Sequence, residues 1–298
     1  MTNYQNHPLA GAVDLDSAFN KLWSFYKKYF IGLYIISVAG SLLSLVFMAE
    51  IDMASLQEVS SDPQLVMEKM KSMAGPYALT MLVTLLLMVV LHTWVLDRPA
   101  AEAGFASAML KKMLVALLPY LVAMIIFLVL TVIVTSIGVV LLVLPGLFAL
   151  AYMASVMIFA MPVTLIETRN PIEIITRSFK LMHRNLWPNM GWLVIMALIM
   201  VVTAMLLSTL AMLPFTGSFI RSIANPEEAS AMLEMSRNPI YIGLSALTGA
   251  LVRPLMPILA FILYFRNRGE EVAEIKITTD SDSAVRVEDL YPRMPENE

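Results

Sequence analysis

Residues 113–167 read MLVALLPYLVAMIIFLVLTVIVTSIGVVLLVLPGLFALAYMASVMIFAMPVTLIE, and the way this run divides decides the fold. A helix rises 1.5 Å per residue and the hydrocarbon core of a bilayer is about 30 Å thick, so one span takes about 20 apolar residues. The run is too long for a single span, and Gly138 falls between its halves. It is therefore read as two helices, Met113–Ser136 and Val139–Glu167, with a tight turn at Gly138. Working outward, Phe30–Ala49, Tyr77–Leu96 and Gly191–Leu213 meet the same requirement, and Ile240–Tyr264 meets it if Arg253 is accepted inside it. The expected fold class is an all-α integral membrane protein with six transmembrane helices in three hairpins.

Composition agrees with that division. Of 298 residues 14% are charged and 59% hydrophobic, where a soluble domain carries about 25% charged residues. The net charge of -3 gives no case for nucleic acid. Cysteine is absent, which excludes disulfides, thiolate metal sites and thiol catalysis. The first residues lack a basic segment followed by an apolar core, so the spans themselves are expected to direct insertion.

Orientation follows from lysine and arginine, which favour the cytoplasmic loops. Lys21, Lys27 and Lys28 precede the first span, and Arg98, Lys111 and Lys112 follow the second. Arg169, Arg177, Lys180 and Arg184 follow the fourth span, and Arg266 and Arg268 the sixth. The alternate loops are mostly acidic, with Glu50, Asp52, Glu58, Asp62 and Glu68 in one and Glu227, Glu228 and Glu234 in the other. Both termini are expected in the cytoplasm. The chain then divides into a cytoplasmic N-terminal segment, 1–29, a six-span domain, 30–265, and an acidic, mostly disordered tail, 266–298.

Each hairpin is preceded by an amphipathic stretch ending in a basic pair: DSAFNKLWSFYKKYF, AEAGFASAMLKKM and NPIEIITRSFKLMHRN. Helices rich in aromatic and basic residues lie in the headgroup layer, which suggests an interfacial helix plus hairpin repeated three times. An ordinary basic cytoplasmic loop produces the same pattern, so both readings stand. In the third stretch Pro171 suits a first helical turn. Arg177, Lys180 and Arg184 share one face there, with Ile172, Ile175, Phe179 and Met182 on the other side. Lys27, Lys28, Lys111, Lys112, Arg177, Lys180 and Arg184 are the candidate contacts for anionic headgroups, each contributing about 1 kcal/mol; simple anchoring is the competing account. On the far side, LVMEKMKSM and PEEASAMLEM suggest short helices that cap the bundle or touch a partner, and EVAEIKITT in the tail shows a strand-like alternation.

Little in the chain supports catalysis. Three histidines, His7, His92 and His183, are scattered, and no metalloprotease, Walker or nucleophile-elbow motif occurs. No enzyme activity, metal or cofactor is expected, and the partners expected are anionic membrane lipids and a membrane protein. Pro145–Gly146 and Pro162 mark expected kinks in the fourth span, because proline removes a donor and crowds the preceding turn.

The LPGL at 144–147, the proline near the span's end, the following acidic residue, the amphipathic helix with Arg177–Ser178, and the closing ILYFRNRGEE carry a resemblance. Together they resemble the membrane domain of glycerophosphoryl diester phosphodiesterases and the YciC-like bacterial inner-membrane proteins. The likeness centres on residues 138–272. Those phosphodiesterases carry a separate catalytic barrel that this chain lacks, so the resemblance implies a helical membrane domain and no phosphodiesterase.

Arg253 is the one charge deep in a predicted span. Gly243, Ala246, Ala250, Arg253 and Pro257 follow spacings of three and four, so they form one stripe bordered by Gly249. Small residues permit close helix contact, which turns the stripe toward the bundle, while Pro254 and Pro257 free carbonyls beside the arginine. Two functions follow. One is a scaffold or accessory subunit with Arg253 as a latch on carbonyls, on hydroxyls such as those of Thr131, Thr135 or Ser136, or on water. The other is a transport or lipid-handling protein whose polar cavity lets Arg253 bind an anion. A re-entrant segment broken at Gly249 and the two prolines is the alternative architecture.

Overall fold

The computed structural model describes residues 4–11, 14–48, 63–100, 105–217 and 238–284. Ten α-helices lie among them: α1 Leu15–Lys28, α2 Phe30–Met48, α3 Pro63–Asp97, α4 Phe105–Leu141, α5 Val143–Met157, α6 Ala160–Ile166, α7 Pro171–Arg184, α8 Leu186–Met212, α9 Pro239–Val252 and α10 Leu255–Ala284. No strand occurs among the described residues. Six stretches are long and apolar enough to cross a membrane: α2, α3, α4, α5 with α6, α8, and α9 with α10. The all-α, six-span class expected from the sequence is the class found.

Starts are set by local chemistry. Asp14 Oδ1 accepts from the Ser17 amide at 2.9 Å and opens α1. Asn170–Pro171 and Asn238–Pro239 repeat one device. The asparagine side chain accepts from the amide two residues on, at 3.1 and 2.9 Å, and proline fills a first-turn position where no amide partner is lost.

The α4–α5 turn falls later than Gly138. Leu142 carries the extended backbone that separates the helices, and its amide donates to Gly138 O at 3.0 Å while its carbonyl accepts from Gly146 at 3.3 Å. Gly138 and Gly146 instead face each other across the turn. A Cβ on Gly138 would stand 2.8 Å from Gly146 Cα, so only glycine lets the two backbones meet. Pro145 lies in the first turn of α5 and does not break it, because there its missing donor costs nothing. The break expected at Pro162 lies just upstream, at Ile158–Phe159, as removal of the residue 162 donor requires.

Other differences share one cause, the continuity of helix where no breaker intervenes. From Phe105 the second amphipathic stretch is simply the first turns of α4, and LVMEKMKSM is likewise the first part of α3. Residues 101–104, the segment PEEASAMLEM, the tail beyond Ala284 and the rest of both acidic loops lie outside the described residues. EVAEIKITT is helical within α10, which runs well past the span, so the part of the tail up to Ala284 is helix.

Burial identifies the centre of the bundle. In the most apolar windows 61% of residues are buried in the α9–α10 stretch and 50% in α3, against 11% in α4 and in α8. From Ile258 to Tyr264 every residue is at most 1% exposed. The exposed aliphatic faces of α2, α4 and α8 are the surface that lipid would cover. On α2 a stripe of small residues approaches α3: Ser37, Ser41 and Ser44 are buried, and a Cβ on Gly40 would strike the Leu87 side chain at 2.6 Å.

Candidate functional site

The charged ends of α6, α7 and α10 meet at one end of the bundle, its basic end. Arg177 on α7 is held by two carboxylates. Its Nη1 donates to Glu271 Oε1 at 2.9 Å and its Nη2 to the second oxygen of that group, while Nε and Nη2 donate to Glu167. The three side chains are only 12–15% exposed. Tyr264 Oη also donates to Glu167, at 2.8 Å, and Arg268 reaches Glu271 at 3.2 Å. Pairing with Glu271, and after it with Glu167, holds the Arg177 guanidinium above even its ordinary range against the opposing effect of burial.

The remaining cations of α7 are engaged more loosely. Arg184 pairs with Glu274, and Lys180 lies 3.4 Å from Glu271 with its side chain 69% exposed. Below them, buried asparagines lock α8 to α10. Asn267 Nδ2 donates to Asn189 Oδ1 at 3.1 Å and to Leu263 O at 2.7 Å, and Asn185 donates to Asn267 Oδ1 at 3.0 Å. The inward row of α7 is Ile174, Ser178, Leu181 and Met182, and Ile172, expected on that side, is 67% exposed. The shift of one position follows from the need to bring Arg177 over Glu271.

Beside this cluster opens a cavity of about 1930 Å³. The segment Tyr4–Gly11, the C-terminal end of α1, the end of α3, the start of α4, the α6–α7 loop and α10 line it. Lys28, Lys112, Arg169, Arg177, Lys180 and Arg268 contribute cations to the lining, and Asp97, Glu167 and Glu173 contribute carboxylates. Lys112 is paired with Asp97 at 2.7 Å. Lys28 and Arg169 have no carboxylate within ion-pair distance among the described residues. Of the remaining predicted headgroup contacts, Lys27 stands over the Trp23 ring at 5.2 Å, and Lys111 is exposed on α4.

The N-terminal segment is docked by His7. Its Nε2 donates to Val95 O at 3.3 Å, and its Nδ1 accepts from the Leu9 amide at 3.2 Å, which defines a neutral ring protonated on Nε2. Phe25 and Phe265 flank the ring, and burial lowers its pKa from the ordinary 6.5.

Arg253 lies at the break between α9 and α10, just before Pro254. Ala246 and Ala250 on its stripe are buried, Pro257 is buried too, and Gly249 meets nothing within 4 Å of a built Cβ. Proline at 254 removes the donor that Ala250 O would receive, and the break releases Leu251 O, which accepts from Tyr26 Oη of α1 at 2.8 Å. Arg253 therefore stands near the packing site of the first amphipathic helix. Among the described residues its Nη1 is buried without a hydrogen-bond partner, as are Thr135 Oγ1 and Ser37 Oγ. Thr131 bonds its own helix at Phe127 O. The cavity lining does not include Arg253.

Sequence reasoning placed the cations and left out what holds them. Glu270, Glu271 and Glu274 share a helical face, and that spacing was the available signal; Tyr26, Asn189 and Asn267 carried none. Comparison with protein-family models, curated proteins and solved structures found no match to this chain.

Proposed function

We propose that this protein is a non-enzymatic scaffold or accessory subunit of a bacterial cytoplasmic membrane, with its basic end and both termini in the cytoplasm and anionic lipid as its nearest partner. The observation that carries the proposal is the outer face of the basic end. On α1, Phe19 and Trp23 are 38% and 50% exposed one turn apart, with Lys27 over Trp23. That combination suits the headgroup layer. Lys27 and Lys111 are both exposed and without a carboxylate partner among the described residues. The non-enzymatic part rests on the sequence's lack of catalytic motifs, and the bacterial setting on the resemblance to YciC-like proteins.

The test is reconstitution in nanodiscs of phosphatidylethanolamine with a minority of phosphatidylglycerol, followed by analysis of the lipid retained on the protein. Enrichment of phosphatidylglycerol that falls in a Lys27→Gln/Lys111→Gln variant is expected. Retained lipid matching the bulk mixture would overturn the proposal.

The orphaned Nη1 of Arg253 favours a second reading, a lipid-handling protein in which that group receives an anion. Without an anion, Arg253→Leu removes a buried unsatisfied donor and should stabilise the protein by about 1–3 kcal/mol. In that reading the order reverses when anionic lipid is supplied, with the parent then the more stable. An unchanged order in both lipid conditions removes it.

A further inference from the structure

We propose that the basic-end cavity binds a phosphate-bearing amphiphile of net negative charge, with Lys28 and Arg169 receiving the phosphate and the apolar wall receiving the first part of an acyl chain. The inference rests on the proposed function, because it names a discrete lipid site within the basic end. Three features carry it. The cavity, about 1930 Å³, exceeds the roughly 300–1,000 Å³ that suits a drug-sized ligand, so it accommodates more than a headgroup. Its charge is unbalanced in a particular way: Arg177, Lys112 and Arg268 are neutralised within the protein, while Lys28, over the Tyr29 ring at 5.3 Å, and Arg169 have no carboxylate partner among the described residues. Its wall is amphipathic, since Phe105, Met109, Leu165 and Phe265 line the same space as these two cations. A soluble phosphate would find the cations but leave that wall wet, and a neutral lipid would leave the cations unanswered.

The paired residues set the geometry. Arg177, fixed by Glu167 and Glu271, closes the side of the cavity toward α7, and Lys112 reaches Tyr4 Oη at 3.2 Å while bound to Asp97. Neither cation has to give up its carboxylate for a ligand to enter.

Native mass spectrometry of protein released from the same nanodiscs reads the site as a single retained phosphatidylglycerol. Lys28→Gln/Arg169→Gln should weaken that retention about tenfold or more, from about 1 kcal/mol per basic residue. Ala108→Trp tests the space without changing charge. Ala108 is exposed and lines the cavity, so an indole there intrudes on the apolar wall beside Met109 and the retention should weaken. Lys27→Gln/Lys111→Gln lies outside the lining and should leave the single lipid in place. Inorganic phosphate in excess should not displace it.

If the two charge variants lose the retained lipid equally, the attraction is general to the basic end; the proposed function then survives and the cavity site is overturned. Undiminished retention in Ala108→Trp overturns it as well. Displacement by inorganic phosphate replaces the amphiphile by a free anion and overturns the acyl part. A parent protein without any phosphatidylglycerol overturns both the site and the proposed function.

Discussion

Arg177 serves two carboxylates from different elements, and the consequences of removing each member differ. Arg177→Met leaves Glu167 and Glu271 facing each other in a place only 12–15% exposed, and breaking such a pair costs about 3 kcal/mol. Glu271→Ala leaves Arg177 its bond to Glu167, so a smaller loss, about 1–2 kcal/mol, is expected. Thermal unfolding in detergent checks the order, and equal losses would contradict it. His7 makes a second prediction at this scale. Its folded pKa lies below the ordinary 6.5, so its contribution to docking is present above pH 6.5 and lost as pH falls through the folded value. Asp97 on α3 opposes that shift, Lys112 on α4 bonds Tyr4 nearby, and Phe25 and Phe265 on α1 and α10 add no charge. Protonation places a hydrogen on Nδ1, where the Leu9 amide now donates. Hydrogen exchange at Leu9, corrected for its intrinsic rate, should lose protection below that pH, and His7→Gln should remove the pH dependence.

At the scale of elements, the α4–α5 hairpin depends on two glycines eight residues apart. Gly138→Leu must drive the helices apart at a 2.8 Å approach, and overpacking of this kind costs about 1–3 kcal/mol. Gly243→Ala, inside α9 with nothing within 4 Å of the added Cβ, should not destabilise by the same thermal assay and gains up to about 1 kcal/mol from helix propensity. The tip of the hairpin makes a further prediction. Residues 139–144 are all aliphatic and 52–86% exposed, a surface that water tolerates poorly. Cysteines placed at Val140 and Leu142, in a chain with none of its own, should resist membrane-impermeant thiol reagents added from either side. Reaction from one side would put the tip in water. The spans were readable in the sequence because each depends only on local composition and length. The position of this turn was not, because no turn-forming residue marks Leu142; the contact between glycines decides it. Proline was misread at 145 for a related reason, since its effect depends on whether a helix has already begun.

For the molecule as a whole, α10 is the spine, and its two halves have different duties. The apolar half is the best-buried segment of the bundle, while the charged half beyond Phe265 reaches back to α7 and α8 through Asn267, Glu270, Glu271 and Glu274. This second duty was hidden in the sequence. Arg177 and Glu271 stand 94 positions apart, and a run of acids after a span looks like a solvated tail until α7 is laid beside it. The cation face was visible from spacings of three and four on one helix, whereas its partner face required the tertiary arrangement. Truncation separates the two duties. A chain ending at Ala284 keeps every charged contact described and should unfold like the parent. One ending at Phe265 keeps the spans but strips Arg177 of Glu271, Arg184 of Glu274 and Asn189 of Asn267. Its insertion should persist, because apolar length drives it, while its melting temperature in detergent falls by on the order of 10 °C. Helix α7 should then become the first site of limited proteolysis, since the clamp joining it to α10 is gone. A shortened chain that melts with the parent would show that α7 is held by its apolar row alone, and the ion pairs would be a surface ornament of the fold and not its fastening.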